Sequence, residues 1–287
     1  MIRRLVLVFA VVAVTAGCGA TTAASTQPVP RFSHVIVVVF ENKDKSEVMG
    51  SPAAPNFNTL GAQYAQLTDY HGVSHPSLPN YLALISGSTH GVTRDCTTCT
   101  FSGRSLADTL AAAHLSWKTY AESLPRVGYT GDGPRPYAKK HVPFLYFRNV
   151  LARPAWLRNV VPLSKLAVDL HANRLPRFSL VVPNMCNDGH DCPVQTTDRW
   201  LGQHIVPLLR SPQLAKSVVF VIFDEGESSV GGGGNVPALA LGPLVQSNLQ
   251  YNGSLDHYSL LRTIEDAWKL PLLGRSRTAR PITGIWR

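Results

Sequence analysis

Carboxylates and amides recur in this chain directly after apolar runs. His34-Val-Ile-Val-Val-Val-Phe40 is followed by Glu41-Asn42, and Ser217–Phe223 by Asp224-Glu225-Gly226. A third run, Phe178–Val182, leads into Pro183-Asn184 and then Asn187-Asp188-Gly189-His190-Asp191. One acidic residue after a strand is ordinary loop chemistry. Three apolar runs ending alike point to carboxylates that converge, and converging carboxylates repel unless a cation, usually divalent, sits between them. A hydroxyl is on offer too, in His75-Pro76-Ser77-Leu78-Pro79-Asn80. Ser77 stands at or just before a helix start, where free N–H groups and the helix dipole favour an anion. A hydroxyl placed there beside a metal can be deprotonated and attack phosphorus. The plainer reading makes Ser77 an N-cap.

These residues act together only if strands deliver them to one rim. The run 34–40 is β-branched throughout and reads as a strand buried on both faces, as in a parallel sheet. Further strands are expected at 116–120, 178–182, 217–223 and 236–241. Helices are expected at 56–67, 79–85, 105–114, 163–173, 197–209 and 256–269. Residues 125–160 are rich in Pro, Gly and aromatics and read as a long irregular insertion. Alternating strands and helices predict one α/β domain, with a mainly parallel central sheet and helices on both faces. Ligands of such sheets bind beyond the carboxyl ends of the strands.

The 287 residues are 45% hydrophobic and 16% charged, which excludes a disordered chain. Length alone gives about two domains, or one if the fold is α/β. The formal charge of +9 favours anionic partners. It does not indicate nucleic acid, because no long basic run or basic–aromatic interleaving accompanies it. No Gly-x-Ser-x-Gly or His-Glu-x-x-His occurs, against an α/β-hydrolase elbow or that class of zinc protease. The glycines 231–234 lack the Lys-Ser/Thr of a phosphate loop and read as a turn.

The first residues read as an address. Arg3-Arg4 precede the apolar run Leu5–Val14, which is too short to span a bilayer, and Thr15-Ala16-Gly17-Cys18 follows. Small residues before a Cys resemble a lipobox, with residues 1–17 removed and Cys18 lipidated. Simple secretion and an uncleaved anchor are the alternatives. Residues 18–30 then form a flexible tether and 31–287 the folded domain. Export leaves Cys96, Cys99, Cys186 and Cys192, an even number that suggests two disulfides, local pairing being the simplest. A four-cysteine zinc site is the minor reading.

The string His75-Pro-Ser-Leu-Pro-Asn-Tyr-Leu-Ala-Leu-Ile-Ser-Gly87, with Thr89-His90-Gly91 after it, resembles the bacterial secreted acid phosphatase/phosphoesterase family. Within that family it is most similar to the phosphatidylinositol 3-phosphatase-like acid phosphatases, a branch of the alkaline phosphatase superfamily. The likeness extends over 34–287 through Phe40-Glu41-Asn42-Lys43, Tyr137-Ala-Lys-Lys-His141-Val-Pro-Phe144, Asp188 with His190, Asp224-Glu225-Gly226 and Asp256-His257-Tyr258. It implies an alkaline phosphatase-like fold and a Ser77 nucleophile that is transiently phosphorylated. It implies metal ligands at Glu41, Asn42, Asp224 and Glu225, and a role for His257 with metal or phosphate. Asp188 and His190 lie near the second metal pair of related nucleotide pyrophosphatases, but Asn184 stands where an Asp is expected. One metal is therefore favoured, with Asp188 binding phosphate and His190 assisting catalysis. His75, Lys140 and His141 are the remaining substrate-binding candidates, against the bland reading of Lys139-Lys140 as a solvated pair.

The expectation is an exported, metal-dependent acid phosphatase acting on phosphate monoesters of small molecules or lipids. Its metal would be Mg²⁺, Ca²⁺, Mn²⁺ or, through His257, Zn²⁺. A phospholipase C-type phosphodiesterase is the rival enzyme. A surface lipoprotein that holds phosphate or metal without turnover is the rival of another class.

Overall fold

The computed structural model describes residues 27–287. The expected signal segment, Cys18 and most of the tether lie outside the described residues. In chain order the strands are β1 (Val35–Phe40), β2 (Ala65–Leu67), β3 (Tyr70–His71), β4 (Trp117–Ala121), β5 (Val160–Pro162), β6 (Phe178–Val182), β7 (Val218–Phe223), β8 (Ala238–Leu241), β9 (Leu249–Tyr251) and β10 (Leu255–Asp256). The helices are α1 (Lys45–Val48), α2 (Pro55–Gln63), α3 (Ser77–Ser86), α4 (Leu106–Ala112), α5 (Arg148–Leu151), α6 (Pro154–Leu157), α7 (Ser164–His171), α8 (Val194–His204) and α9 (His257–Trp268).

Eight strands form one sheet in the order β5-β4-β6-β1-β7-β8-β2-β9, and β3 pairs with β10 in a small ribbon. The most apolar runs take the centre. Every residue of β1 and β7 is buried, so neither strand has a solvent face. From β5 to β7 all pairings are parallel, and β8 runs antiparallel to both β7 and β2. The fold is the expected α/β domain with a mainly parallel sheet.

Both faces of the sheet are covered. Phe223 and Phe220 stand on opposite faces of β7. Phe223 packs on Phe57 of α2 at 5.7 Å, and Phe220 packs on Trp286 at 6.4 Å. Trp268 of α9 lies on the second face, donating its indole N–H to the Phe32 carbonyl beside Trp286.

The register brings the polar strand ends together. Phe40 pairs with Phe223, so Glu41 and Asp224 leave the sheet side by side. The Asp224 amide donates to the Phe40 carbonyl at 3.0 Å, and the Glu41 amide to the Asp188 carbonyl at 2.9 Å. The adjacent carboxyl ends of β6, β1 and β7 thus become one rim.

Three sequence-based boundaries are corrected. The helix expected over 56–67 stops at Gln63, and Ala65–Leu67 turns back as β2 to pair with β8 and β9. The helix expected over 197–209 covers 194–204, because Pro207 has no amide to continue the ladder. The insertion 125–160 carries α5, α6 and two single-turn 3-10 helices, one of them Lys139–His141. It is bound to the sheet edge by packing such as Trp117 on Phe144 at 4.5 Å.

Candidate active site

Ser77 is the first residue of α3, and Pro76, not Ser77, is its N-cap. The helix is buried along its whole length and ends at Gly87 with φ +70°, where a side chain would meet the Leu273 carbonyl at 2.0 Å. That close contact seats the helix so that Ser77 is held at the rim. Its hydroxyl is not capping. Oγ lies 3.1 Å from Glu41 Oε2 and 3.2 Å from Glu225 Oε1, and it accepts from Lys140 Nζ at 3.0 Å. Ser77 is only 2% exposed.

Ligand atoms of Glu41, Asp224 and Glu225 all lie within 4.8 Å of one another, and the three residues are buried. Asp224 Oδ1 accepts from the Glu225 amide at 2.7 Å and from the Asn42 amide at 3.4 Å. Its other oxygen, Oδ2, is buried without a partner among the described residues. Burial, then Glu41 and Glu225, push the Asp224 carboxyl well above the usual carboxylate range. Burial and Glu41 also raise Glu225, against the pull of His75. Three crowded carboxylates with an orphaned oxygen make a donor set that fits a hard divalent cation. Asn42, with φ at +61°, braces this set only through its backbone N–H, which donates to Asp224 Oδ1.

His141 joins the cluster to Asp188. Its Nε2 is 2.7 Å from Glu41 Oε1 and its Nδ1 3.3 Å from Asp188 Oδ2, with all three side chains out of solvent. Burial disfavours the imidazolium, but Glu41 and Asp188 outweigh it and hold the group up at about 9. For Glu41, burial is likewise outweighed, by His141 and Lys140, and its carboxyl is held far below the ordinary range. For Asp188 burial wins over His141 and raises it. Tyr81, one turn into α3, stacks on the His141 ring at 4.9 Å.

The two lysines are not a solvated pair. Lys139 is buried and donates to the Thr97 carbonyl at 2.6 Å. Lys140 lies between Ser77 and Asp95 Oδ2, the latter at 3.0 Å, and Glu41, Asp95 and Asp224 raise it against burial. Asp95 and Tyr81 are the residues that sequence reading missed. Lys140, Asp95, Asp132, Tyr137 and His190 line a cleft of about 310 Å³, reached from Ser77 through Lys140. The cysteines pair locally as expected, Cys96–Cys99 and Cys186–Cys192, and close the loops on two sides of that cleft.

The other histidines divide. His75 Nδ1 bonds Glu225 Oε2, and its Nε2 is 3.0 Å from the Ser228 carbonyl, so it holds Glu225 in place. His190 gives its amide to Asp188 Oδ1 at 2.9 Å and pairs Nδ1 with Asp191 at 2.8 Å, leaving Nε2 for the cleft. His257 does not reach into the carboxylate cluster. Its Nε2 donates to the Asp224 carbonyl at 2.6 Å, and its Nδ1 accepts from the Tyr70 hydroxyl at 3.1 Å. With both nitrogens used and burial lowering its pKa, it is a neutral brace behind Asp224. His204 packs on Trp200 with its ring tilted and lines a different cleft with Glu122 and Leu163.

The sequence matches the Phosphoesterase family over residues 40–271. It is 36% identical over 260 residues to a phosphatidylinositol-3-phosphatase of Mycobacterium tuberculosis, covering 90% of this chain and 84% of that protein. It is 32% identical over 258 residues to the phosphate-repressible acid phosphatase of Penicillium chrysogenum, covering 85% of this chain and 61% of the fungal one. A solved alkaline phosphatase superfamily protein from Vibrio parahaemolyticus shares the fold, with a TM-score of 0.61 at 14% identity over 90% of this chain and 72% of that one. With a family match that spans most of the folded domain, the chain belongs to the phosphoesterase family.

Proposed function

We propose that the protein is a metal-dependent phosphomonoesterase, an acid phosphatase that works through a phosphoserine at Ser77. The observation that carries the reading is the environment of one oxygen. Ser77 Oγ has an ammonium at 3.0 Å and carboxylate oxygens at 3.1 and 3.2 Å. A helix that needed only an N-cap would not need this surrounding, and neither would a protein that merely binds phosphate. The relatives named acid phosphatase and phosphatidylinositol-3-phosphatase support the same chemistry.

Glu41, Asp224 and Glu225, with Asn42 beside them, would hold the divalent ion. When bound, that ion supplies positive charge for the phosphate oxygens and for the serine oxygen. The chain does the rest. The Ser77 hydroxyl proton passes to Glu225 Oε1, which it faces at 3.2 Å and whose carboxyl burial and Glu41 raise. The Oγ–P bond forms as the ester P–O bond breaks, and Lys140 Nζ neutralises charge on the reacting oxygens. His190, with Nδ1 fixed by Asp191, presents Nε2 to the cleft to protonate the departing alkoxide. A water then attacks phosphorus, the P–Oγ bond breaks, and Ser77 regains its proton. His141 and Asp188 hold Glu41 at one wall.

The export reading belongs to the same proposal: residues 1–17 as signal, Cys18 as lipid-bearing and 31–287 as catalytic domain. Among the described residues, no helix is long and apolar enough to cross a membrane. The substrate would be a phosphorylated small molecule or lipid headgroup.

Hydrolysis of a chromogenic phosphate monoester and of the matching diester tests the reading, run with and without chelator on wild type and Ser77→Ala. Loss of monoester turnover in the variant and under chelation, with a phosphorylated Ser77 peptide found after acid quenching, is the expected result. Diester preference would move the assignment to a phosphodiesterase. Turnover that survives in Ser77→Ala would overturn it.

A further inference from the structure

Asp95 binds both donors that flank the nucleophile. Its Oδ1 accepts at 3.1 Å from the Leu78 amide, the first backbone N–H after Ser77. Its Oδ2 accepts at 3.0 Å from Lys140 Nζ, the ammonium that also reaches Ser77 Oγ. A helix-start amide and a charged amine are the donors a phosphate oxygen takes. A carboxylate bridging them has the charge and the oxygen spacing to take the same bonds.

Asp95 is less enclosed than the lysine it pairs with, and its backbone leads into a tied loop. Its side chain is 33% exposed, against 16% for Lys140. It also lines the 310 Å³ cleft, which offers room for it to swing into. The next residue opens the Cys96–Cys99 loop, and the Thr97 carbonyl in that loop is tied to Lys139 Nζ at 2.6 Å.

We infer that Asp95 is an internal stand-in for phosphate. In the free enzyme its carboxylate occupies the Leu78 amide and Lys140 ammonium. When a phosphate group binds, Asp95 releases both and turns into the cleft. The inference rests on the reading of Ser77 as the reacting centre. It makes Asp95 a positioning residue that keeps Lys140 in place before substrate arrives. It also makes Asp95 a competitor that weakens the hold on every phosphate-bearing species, the product included.

Inorganic phosphate is the probe, with its Kd from titration calorimetry and its inhibition constant from kinetics. Wild type is compared with Asp95→Asn, Asp95→Ala and Asp132→Asn. Asp132 lines the same cleft and carries the same charge, but it bonds the Lys139 amide at 3.2 Å and neither of the two donors. Both Asp95 variants should bind phosphate about 10-fold tighter, with a lower KM for the ester and no gain in kcat. Asp132→Asn should tighten phosphate far less. Unchanged or weaker phosphate binding in the Asp95 variants overturns the inference. So does equal tightening in Asp132→Asn, which would reduce the effect to bulk charge. If Asp95→Ala does not fold, Asp95→Asn keeps the shape and an acceptor oxygen, and it carries the test. Calorimetry needs no turnover. A chain that binds phosphate but cleaves no ester would therefore overturn the proposed function and still decide the role of Asp95.

Discussion

Lys140 Nζ stands 3.0 Å from Ser77 Oγ across 63 residues of sequence. The lysine comes from the irregular insertion and the serine from the first turn of a buried helix, so the contact is made by the tertiary fold alone. Under the proposed mechanism, that position puts its charge on the serine oxygen and on the phosphoryl group. Lys140→Met keeps the stem and removes the donor. The expected loss in kcat is about 10²–10³-fold, the usual cost of one preorganised donor at a site of developing charge. Steady-state kinetics on a monoester check this. A variant with raised KM and unchanged kcat would make Lys140 a ground-state binder only.

Asp224, Glu41 and Glu225 crowd one another, and Asp224 Oδ2 is buried with no partner among the described residues. A divalent cation should therefore stabilise the fold, by about 2.7 kcal/mol at a hundred times its Kd. Asp224→Asn keeps an oxygen for the Glu225 and Asn42 amides while removing the charge. Calorimetric melting should show wild type rising when metal is returned after chelation. The variant should melt higher than metal-free wild type and gain nothing from metal. A metal-induced rise in Asp224→Asn equal to that of wild type would place the ion elsewhere.

Much of this site was legible because its residues follow strong local signals. The runs 35–40 and 218–223 can only be buried strands, and a parallel pair must deliver Glu41 and Asp224 to the same rim. Ser77 was legible from the proline-flanked helix start. What could not be read was the register of partners that lack a pattern. Asp95 is a lone carboxylate in a Thr-rich loop, and its partner Lys140 lies 45 residues on. Tyr81 looks like one more apolar residue of α3 until His141 is seen stacked on it. The family resemblance alone implies a role for His257 with metal or phosphate, yet Tyr70 and the Asp224 carbonyl claim both its nitrogens. The strand β2 was absorbed into the preceding helix because three residues are too few to change the apparent period.

His257 supports Asp224 from behind, and its substitution should act through the metal. His257→Ala leaves the Asp224 carbonyl and the Tyr70 hydroxyl without their partner. Metal affinity should fall about 10-fold or more, the usual effect of losing an outer support of a ligand. At saturating metal, kcat should return to near the wild-type value. Activity measured against metal concentration checks this. A deficit that no metal concentration repairs would give His257 a direct part in the reaction.

Glu265 provides a pH dependence away from the site. It is buried on α9, where it accepts from the Ser276 hydroxyl at 2.5 Å and from the Leu273 amide at 2.9 Å. Burial pushes it up from 4.5 to about 7, against the pull of those two donors. The folded state therefore holds a proton that the unfolded chain has already lost. The resulting stabilisation is fully present below about pH 4.5 and is lost as pH rises through about 7, with a limit on the order of 3 kcal/mol. Glu265→Gln keeps an acceptor for the Leu273 amide and can donate to Ser276, without a proton to lose. Melting temperatures of the two proteins should diverge as pH rises from 4.5 to 8, wild type falling relative to the variant. Parallel curves across that range would mean that Glu265 keeps its ordinary titration in the fold. Divergence would tie the stability of the α9 end of the domain to acid conditions, the conditions under which an acid phosphatase works.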